Sequence, residues 1–330
     1  MERIEDPLEF AWGAVSHLTG VLNSDELRAA HQEAMPLVVA ASTKVSQSAA
    51  VFAGLKAVEA KAQKAAAAAA EFAALPDVAG GGVQQCGAGA ACPDSGYLLD
   101  PAQSRVVAQA LRSMTLSGVG LEGEAKEKFN ANRVKLSELS TTYSNNVLDA
   151  TKAYGLTLTD PKDVEGLPLS SKGLAAQAYN AHAAAEAAKE GASSEAKEAA
   201  AATAESGPWR LCLDMPSYLP AMKHLKSSAV REQMYRSFVT RAGEANAPLL
   251  DQILSLKQEQ AQFLGFQTAA EVSMQAKMAA KVEAVDALTE QLLEKAKPAA
   301  EQELKDLTAF AKSKVSARVC LQGKWVYTVG

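Results

Sequence analysis

The sequence has few aromatic residues and few cysteines. Only 5% of its 330 residues are Phe, Trp or Tyr, and there are four cysteines. Four cysteines cannot form a disulfide framework for a chain of this size, so we expect a reducing compartment. Cys86 and Cys92 lie close together without a second Cys/His pair nearby. This arrangement favours two unrelated thiols over a zinc knuckle.

The sequence also lacks a long apolar run and a surplus of basic residues. No stretch reaches the roughly 18 consecutive apolar residues of a membrane span. The 33 basic and 38 acidic side chains are interspersed and give a net charge of −5. Because no basic stripe can follow a phosphate backbone, we expect neither a nucleic acid nor a membrane as partner. No secretory signal is seen at the start, which favours a cytoplasmic or organellar soluble compartment.

Motifs of common catalytic sites are missing as well. There is no Gly-x-Ser-x-Gly elbow, no Walker-type loop, and no His-Glu-x-x-His motif at any histidine. His182 and Glu186 stand four residues apart on a predicted helix, which is compatible with one edge of a metal site. The favoured interpretation is that these two side chains are an exposed pair on the surface of one helix, because no third ligand can be named. His17 and His224 each lie beside a leucine and are expected to be half-buried. We therefore assign no catalytic, cofactor-binding or metal-binding residue.

What the sequence has in abundance is helical periodicity. Between Glu122 and Tyr154, mostly apolar residues recur at spacings of three and four, which predicts one long helix. The positions of this stripe are Ala125, Phe129, Asn132, Leu136, Leu139, Tyr143, Val147, Ala150 and Tyr154. A helix of about thirty residues is roughly 45 Å long and needs packing partners along its length.

Capping residues and proline mark further predicted helices. Ser24 is a candidate N-cap, and Asp100 followed by Pro101 predicts a helix start. We also expect helices at Asp251–Leu264 and at Val282–Lys312. Pro298 should kink or divide the second of these, because proline removes a main-chain donor and clashes with the preceding turn.

Evidence for strands is limited to two short segments. Leu156 and Leu158 alternate with threonines, and Leu211–Leu213 lies between Trp209 and a proline. The two segments could pair as a small antiparallel ribbon. The predicted fold class is therefore mainly α, built of long helices, with at most a two-stranded β ribbon.

Composition divides the chain into four predicted regions. Residues 1–75 form N-terminal helices, and residues 76–99 form a Gly/Ala-rich flexible insert that cannot bury a core. Residues 100–314 form a helical body. Within this body, the alanine-rich segment 181–205 is expected to project, because it has no large apolar side chain to anchor it. Residues 315–330 change in character and are expected to be a weakly ordered tail.

Five segments resemble a known family in their order along the chain. They are LSGVGL at 116–121, LSELSTTYSNNVLDAT at 136–151, EGLP at 165–168, LDMPSYLP at 213–220 and REQMYR at 231–236. In these segments the sequence resembles the M3, or thimet-oligopeptidase, family of zinc metallopeptidases, and within it the oligopeptidases of type A. The resemblance begins near Val15 and ends near Lys312, and the tail at 315–330 is expected to be foreign to the family.

The resemblance implies a nearly all-helical, prolate body in which two halves flank a channel for short unstructured peptides. It also implies zinc in complete family members, held by His-Glu-x-x-His and a later glutamate, which activates the attacking water. This sequence matches only the N-terminal, channel-wall region, so no catalytic residue is transferred and no cofactor is expected in this chain.

Two functions follow from this partial match. We expect a truncated product or gene model of such a peptidase, which is inactive alone and binds short peptides only when a catalytic half completes it. The alternative is a noncatalytic helical protein that binds peptides or a partner. In both cases a helical partner could cover apolar surface that is otherwise exposed.

Overall fold

The computed structural model describes residues 2–73, 98–189, 201–279 and 281–314, and these residues are mainly helical. The predicted fold class is therefore confirmed. The helices of this part of the chain are α1 (Glu2–Val21), α2 (Asp25–Ser46), α3 (Ala49–Ala73), α4 (Pro101–Leu116), α5 (Gly123–Ala153), α6 (Leu169–Lys189), α7 (Met215–His224), α8 (Ser228–Thr240), α9 (Gly243–Phe263), α10 (Ala269–Met274) and α11 (Val282–Lys314). A short 3-10 helix spans Pro161–Val164. None of the helices described is long and apolar enough to cross a membrane.

Two predicted helix starts are confirmed by their caps. The Ser24 side chain accepts a hydrogen bond from the main-chain N–H of Leu27 at 3.2 Å, at the start of α2. Asp100 and Gln103 form a capping box at the start of α4, where each side chain accepts from the main chain of the other residue. Such caps satisfy main-chain donors that have no partner within the helix.

The long helix predicted between Glu122 and Tyr154 is also confirmed. It is α5, which has 31 residues. Every position of the predicted apolar stripe is buried or half-buried, and Phe129 and Leu139 are the most deeply buried residues of the helix. The spacing of three and four therefore identified the packed face correctly.

Two helix predictions need correction. The helix predicted to start at Asp251 starts at Gly243 and runs through Pro248, which lies inside it. Of the two effects expected of Pro298, division of the helix is wrong, because α11 runs from Val282 to Lys314 as one helix of 33 residues.

The described residues fall into two compact units. Unit 1 consists of Met1–Leu139 and Ile253–Ala287, and unit 2 of Ser140–Gln252 and Leu288–Gly330. In unit 1, α1 packs against α2 and α3 packs against α4. The predicted insert lies almost entirely outside the described residues, and the predicted tail lies wholly outside them. The four-region division of the chain thus stays a prediction.

Unit 2 contains a two-stranded antiparallel ribbon within a hydrophobic core. Strand β1 (Leu156–Leu158) pairs with β2 (Trp209–Leu211), with Leu156 opposite Leu211 and Leu158 opposite Trp209. The pairing was predicted, but the second strand starts two residues earlier than expected. Trp209 and Leu211 are each 1% exposed and fill the core, which explains why the strand includes Trp209.

Helices α6, α7 and α8 surround this ribbon. Their buried side chains include Ala175, Tyr218 and Met234, and α6 packs closely against β2. Ala202 lies near the end of the alanine-rich segment. The Asn180 side chain accepts a hydrogen bond from the N–H of Ala202 and donates one to its carbonyl. Ala202 itself is buried in the core.

Candidate functional site

His182 and Glu186 lie on the same helix, α6, as the sequence indicated. The Glu186 carboxylate accepts a hydrogen bond from the Lys189 ammonium at 2.8 Å. This hydrogen bond and the positive charge of Lys189 lower the pKa of Glu186, and His182 and Arg210 add smaller electrostatic contributions. The carboxylate is thus already engaged by a cation on its own helix.

The described residues do not supply the donor set of a zinc site. Within them, no group of three or more His, Cys, Asp or Glu side chains could hold a metal ion. A protein zinc site needs at least three such ligands close together. The described residues therefore do not fit the zinc that the family resemblance implies, and no catalytic step is derived through it.

The other three histidines differ in their surroundings. His31 stacks on Trp12, with ring centroids 4.5 Å apart and an interplanar angle of 17°. Partial burial lowers the pKa of His31, which favours the neutral imidazole. His17 and His224 were expected to be half-buried, and both are exposed. Leucine neighbours in sequence do not bury a residue when they point to another face of the helix.

Cys212 is the cysteine that the structure describes, since Cys86, Cys92 and Cys320 lie outside the described residues. The Cys212 thiol is free and half-buried. Burial raises its pKa, and the nearby Asp214 carboxylate raises it further. Because the thiolate is the reactive form, this environment disfavours a nucleophilic role.

A pocket in unit 1 contains polar groups that belong to no sequence motif. It has a volume of about 370 Å³, and its lining includes Trp12, Ser42, Arg133 and Gln260. Arg133 lies between Phe129 and Leu136 on the packed face of α5, where an apolar residue would be expected. A charged residue on a packed face was the sequence signal available for this pocket.

A row of exposed leucines follows α11. Leu288, Leu292, Leu304 and Leu307 are 57%, 61%, 66% and 65% exposed, respectively. Ala296 and Ala300 continue the spacing of four between Leu292 and Leu304. We call these four leucines the α11 leucine stripe. An apolar face of this length on a helix is typical of a surface that another element covers.

Two family models match this chain, one at its N-terminal end and one in its C-terminal part. Residues 1–72 match the model described as "Neurolysin/Thimet oligopeptidase, N-terminal domain". Residues 221–323 match the model described as "Peptidase family M3". This chain belongs to peptidase family M3. The second match includes α8 to α11 and extends into the first part of the segment 315–330.

Curated relatives of this M3 chain are oligopeptidases of type A. The chain is 36% identical to a "Probable cytosolic oligopeptidase A" of Arabidopsis thaliana over 99% of its own length and 40% of the relative's length. It is 35% identical to "Organellar oligopeptidase A, chloroplastic/mitochondrial" of the same organism, over 98% of its length and 35% of the relative's length. It is also 35% identical to "Oligopeptidase A" of Escherichia coli (strain K12), over 95% of its length and 39% of the relative's length. The chain thus spans about two fifths of the length of these relatives.

Proposed function

We propose that this M3 chain forms the N-terminal, substrate-channel part of a zinc metallo-oligopeptidase that cleaves short peptides, and that these 330 residues alone are inactive. The supporting observation is the similarity to oligopeptidase A relatives over 99% of the chain, combined with a match to only 40% of the relative's length. Zinc peptidases of this family activate water at a His-Glu-x-x-His site, and none of the four histidines here is followed by glutamate.

The α11 leucine stripe supports a further part of this proposal, which concerns the partner. Most of the M3 family model's match, from residue 221 to residue 323, lies on α8 to α11 and so includes this stripe. We propose that the stripe packs against helices of the catalytic part of such a peptidase. The names of the two Arabidopsis relatives support a cytosolic or organellar location for the assembled protein.

Peptide hydrolysis and zinc content test the proposal directly. The purified 330-residue chain should contain less than stoichiometric zinc, measured by atomic emission, and should leave a quenched-fluorescence oligopeptide intact. A complete oligopeptidase A, such as the E. coli relative, serves as the positive control under the same conditions. Zinc-dependent cleavage by this chain alone would show that the proposal is wrong.

A second function is favoured by the same stripe. The chain could act as a noncatalytic helical protein that binds peptides or pairs with a longer relative. Addition of an M3 catalytic part in trans distinguishes the two functions. Restored cleavage supports the channel-wall function, whereas a stable complex without cleavage supports the noncatalytic one.

A further inference from the structure

The Arg133 side chain is a half-buried cation without a carboxylate partner in the described part of the chain. Its guanidinium donates one long hydrogen bond, 3.5 Å, to the Ser46 hydroxyl. Burial lowers the pKa of Arg133, and no acidic group opposes this effect. Removing a charge from water without a counter-charge costs free energy, and an anionic partner would offset this cost.

Two acidic residues that are close in sequence to Gln260 or Arg133 have other partners. Glu259, which precedes the pocket residue Gln260, accepts a hydrogen bond from Asn132 at 2.8 Å. Glu138 pairs with Lys135 at 3.2 Å on the same helix. Neither carboxylate contributes to the pKa of Arg133, which burial alone lowers.

The Gln260 side chain contains a second donor without an acceptor. Its side-chain nitrogen, Nε2, is fully buried and has no hydrogen-bond partner. Buried donors are nearly always paired in folded proteins, because an unpaired one costs the free energy of its desolvation. Gln260 and Arg133 line the same pocket in unit 1.

The pocket therefore combines hydrogen-bond donors with apolar walls. Arg133, Gln260 and the Ser42 hydroxyl can all donate, while Trp12, Val38 and Leu136 provide apolar surface. A carboxylate suits this set of donors, since its two oxygens accept and its charge matches a guanidinium. The volume of about 370 Å³ leaves room for an apolar group beside the carboxylate.

We propose that this pocket binds a carboxylate carried by an apolar group, either a free organic acid or the C-terminal residue of a peptide. The proposal goes beyond the peptidase function and does not depend on it, because the pocket consists of residues of this chain alone. Failure of the hydrolysis experiment would leave it unaffected.

Calorimetric titration of the 330-residue chain with matched probes tests this proposal. N-acetyl-phenylalanine should bind, and its C-terminal amide should bind at least about tenfold more weakly, because the charge-assisted hydrogen bonds are lost. Acetate, which has the charge but no apolar group, should also bind more weakly. N-acetyl-Ala-Ala-Phe identifies the source: tighter binding than N-acetyl-phenylalanine indicates a peptide terminus, and equal or weaker binding indicates a free acid.

Two variants connect binding to the named groups. Arg133→Met should lower the affinity for N-acetyl-phenylalanine at least about tenfold and leave the thermal unfolding temperature unchanged or raised, because a half-buried charge without a carboxylate partner is removed. Gln260→Glu should also lower the affinity, because the introduced carboxylate competes with the ligand for the Arg133 guanidinium. Arg105→Met, at an exposed arginine on α4 outside the pocket, is the control and should bind as the parent chain does.

Three results would overturn the proposal. They are equal binding of the acid and the amide, equal binding of acetate and N-acetyl-phenylalanine, or undiminished binding by a folded Arg133→Met variant. Circular dichroism establishes that each variant is folded before its affinity is compared.

Discussion

Gly166 lies where the main chain passes very close to the end of α7. Its φ is +89°, and a Cβ at this position would overlap the carbonyl oxygen of His224. The neighbouring Glu165 carbonyl accepts from the N–H of Lys226 at 2.9 Å, so the close approach also aligns main-chain groups. Glycine is needed here for two separate reasons, the left-handed conformation and the lack of space.

Replacement of Gly166 tests this close approach. Gly166→Ala should lower the free energy of unfolding by about 2–4 kcal/mol, because it adds backbone strain to a steric overlap. Gly120→Ala is the matched control, since nothing lies within 4 Å of its added Cβ, and its φ is not positive. Urea unfolding measures both variants. Equal stabilities would contradict the role assigned to Gly166.

His31 should make stability depend on pH. Partial burial lowers its pKa in the folded state below the ordinary value of 6.5, so the unfolded chain binds a proton more readily. Stability is therefore full above pH 6.5, falls as the pH drops through that value, and levels off below the folded-state pKa.

A His31→Phe variant should lose this part of the pH dependence while an aromatic ring remains against Trp12. The measurement is urea unfolding at a series of pH values from neutral to mildly acidic. His17→Phe, at an exposed histidine on α1, is the control and should keep the pH profile of the parent chain. An identical profile in His31→Phe would show that another group titrates.

At the scale of the element, caps decide where helices begin. The α4 capping box joins Asp100 and Gln103 through two reciprocal hydrogen bonds of 2.7 and 3.0 Å. Asp100→Ala removes the acceptor for the Gln103 N–H and should destabilise unit 1 by about 0.5–2 kcal/mol. Urea unfolding measures this change. Glu127→Ala, at an exposed position inside α5, is the control and should change stability by less than about 0.5 kcal/mol.

Elements were predicted best where a local pattern is sufficient. The caps at Ser24 and Asp100 and the stripe of α5 depend on neighbouring residues, and the structure confirms them. The second strand was shifted by two residues, because its position is set by the burial of Trp209 in a core formed by distant segments. Tertiary packing of this kind is not visible in a short window of sequence.

The candidate site shows the same limit. Arg133 and Gln260 are 127 positions apart, so no spacing motif could connect them, and only the fold brings them to one pocket. The single local sign was the presence of an arginine between apolar residues on the packed face of α5. The exposed α11 leucine stripe could not be read from sequence either, since its periodicity equals that of a buried helix.

At the scale of the whole molecule, the α11 leucine stripe should govern self-association. Leu292→Glu combined with Leu304→Glu should reduce oligomers and aggregates of the purified chain, because it interrupts an exposed apolar face. Size-exclusion chromatography with light scattering measures the change. Val106→Glu is the control, since Val106 is 68% exposed on α4, outside the stripe, and should leave association unchanged. A doubly substituted chain that associates as strongly as the parent would exclude the stripe as the cause.

The exposure of α11 also has a consequence for hydrogen exchange. A helix of 33 residues is about 50 Å long. Its main-chain amides are protected by its own hydrogen bonds and by few packed side chains, so it should open independently of the cores of the two units. Its amides should therefore exchange with deuterium long before those beside Trp209, and a bound partner would slow exchange along the face that carries the leucines.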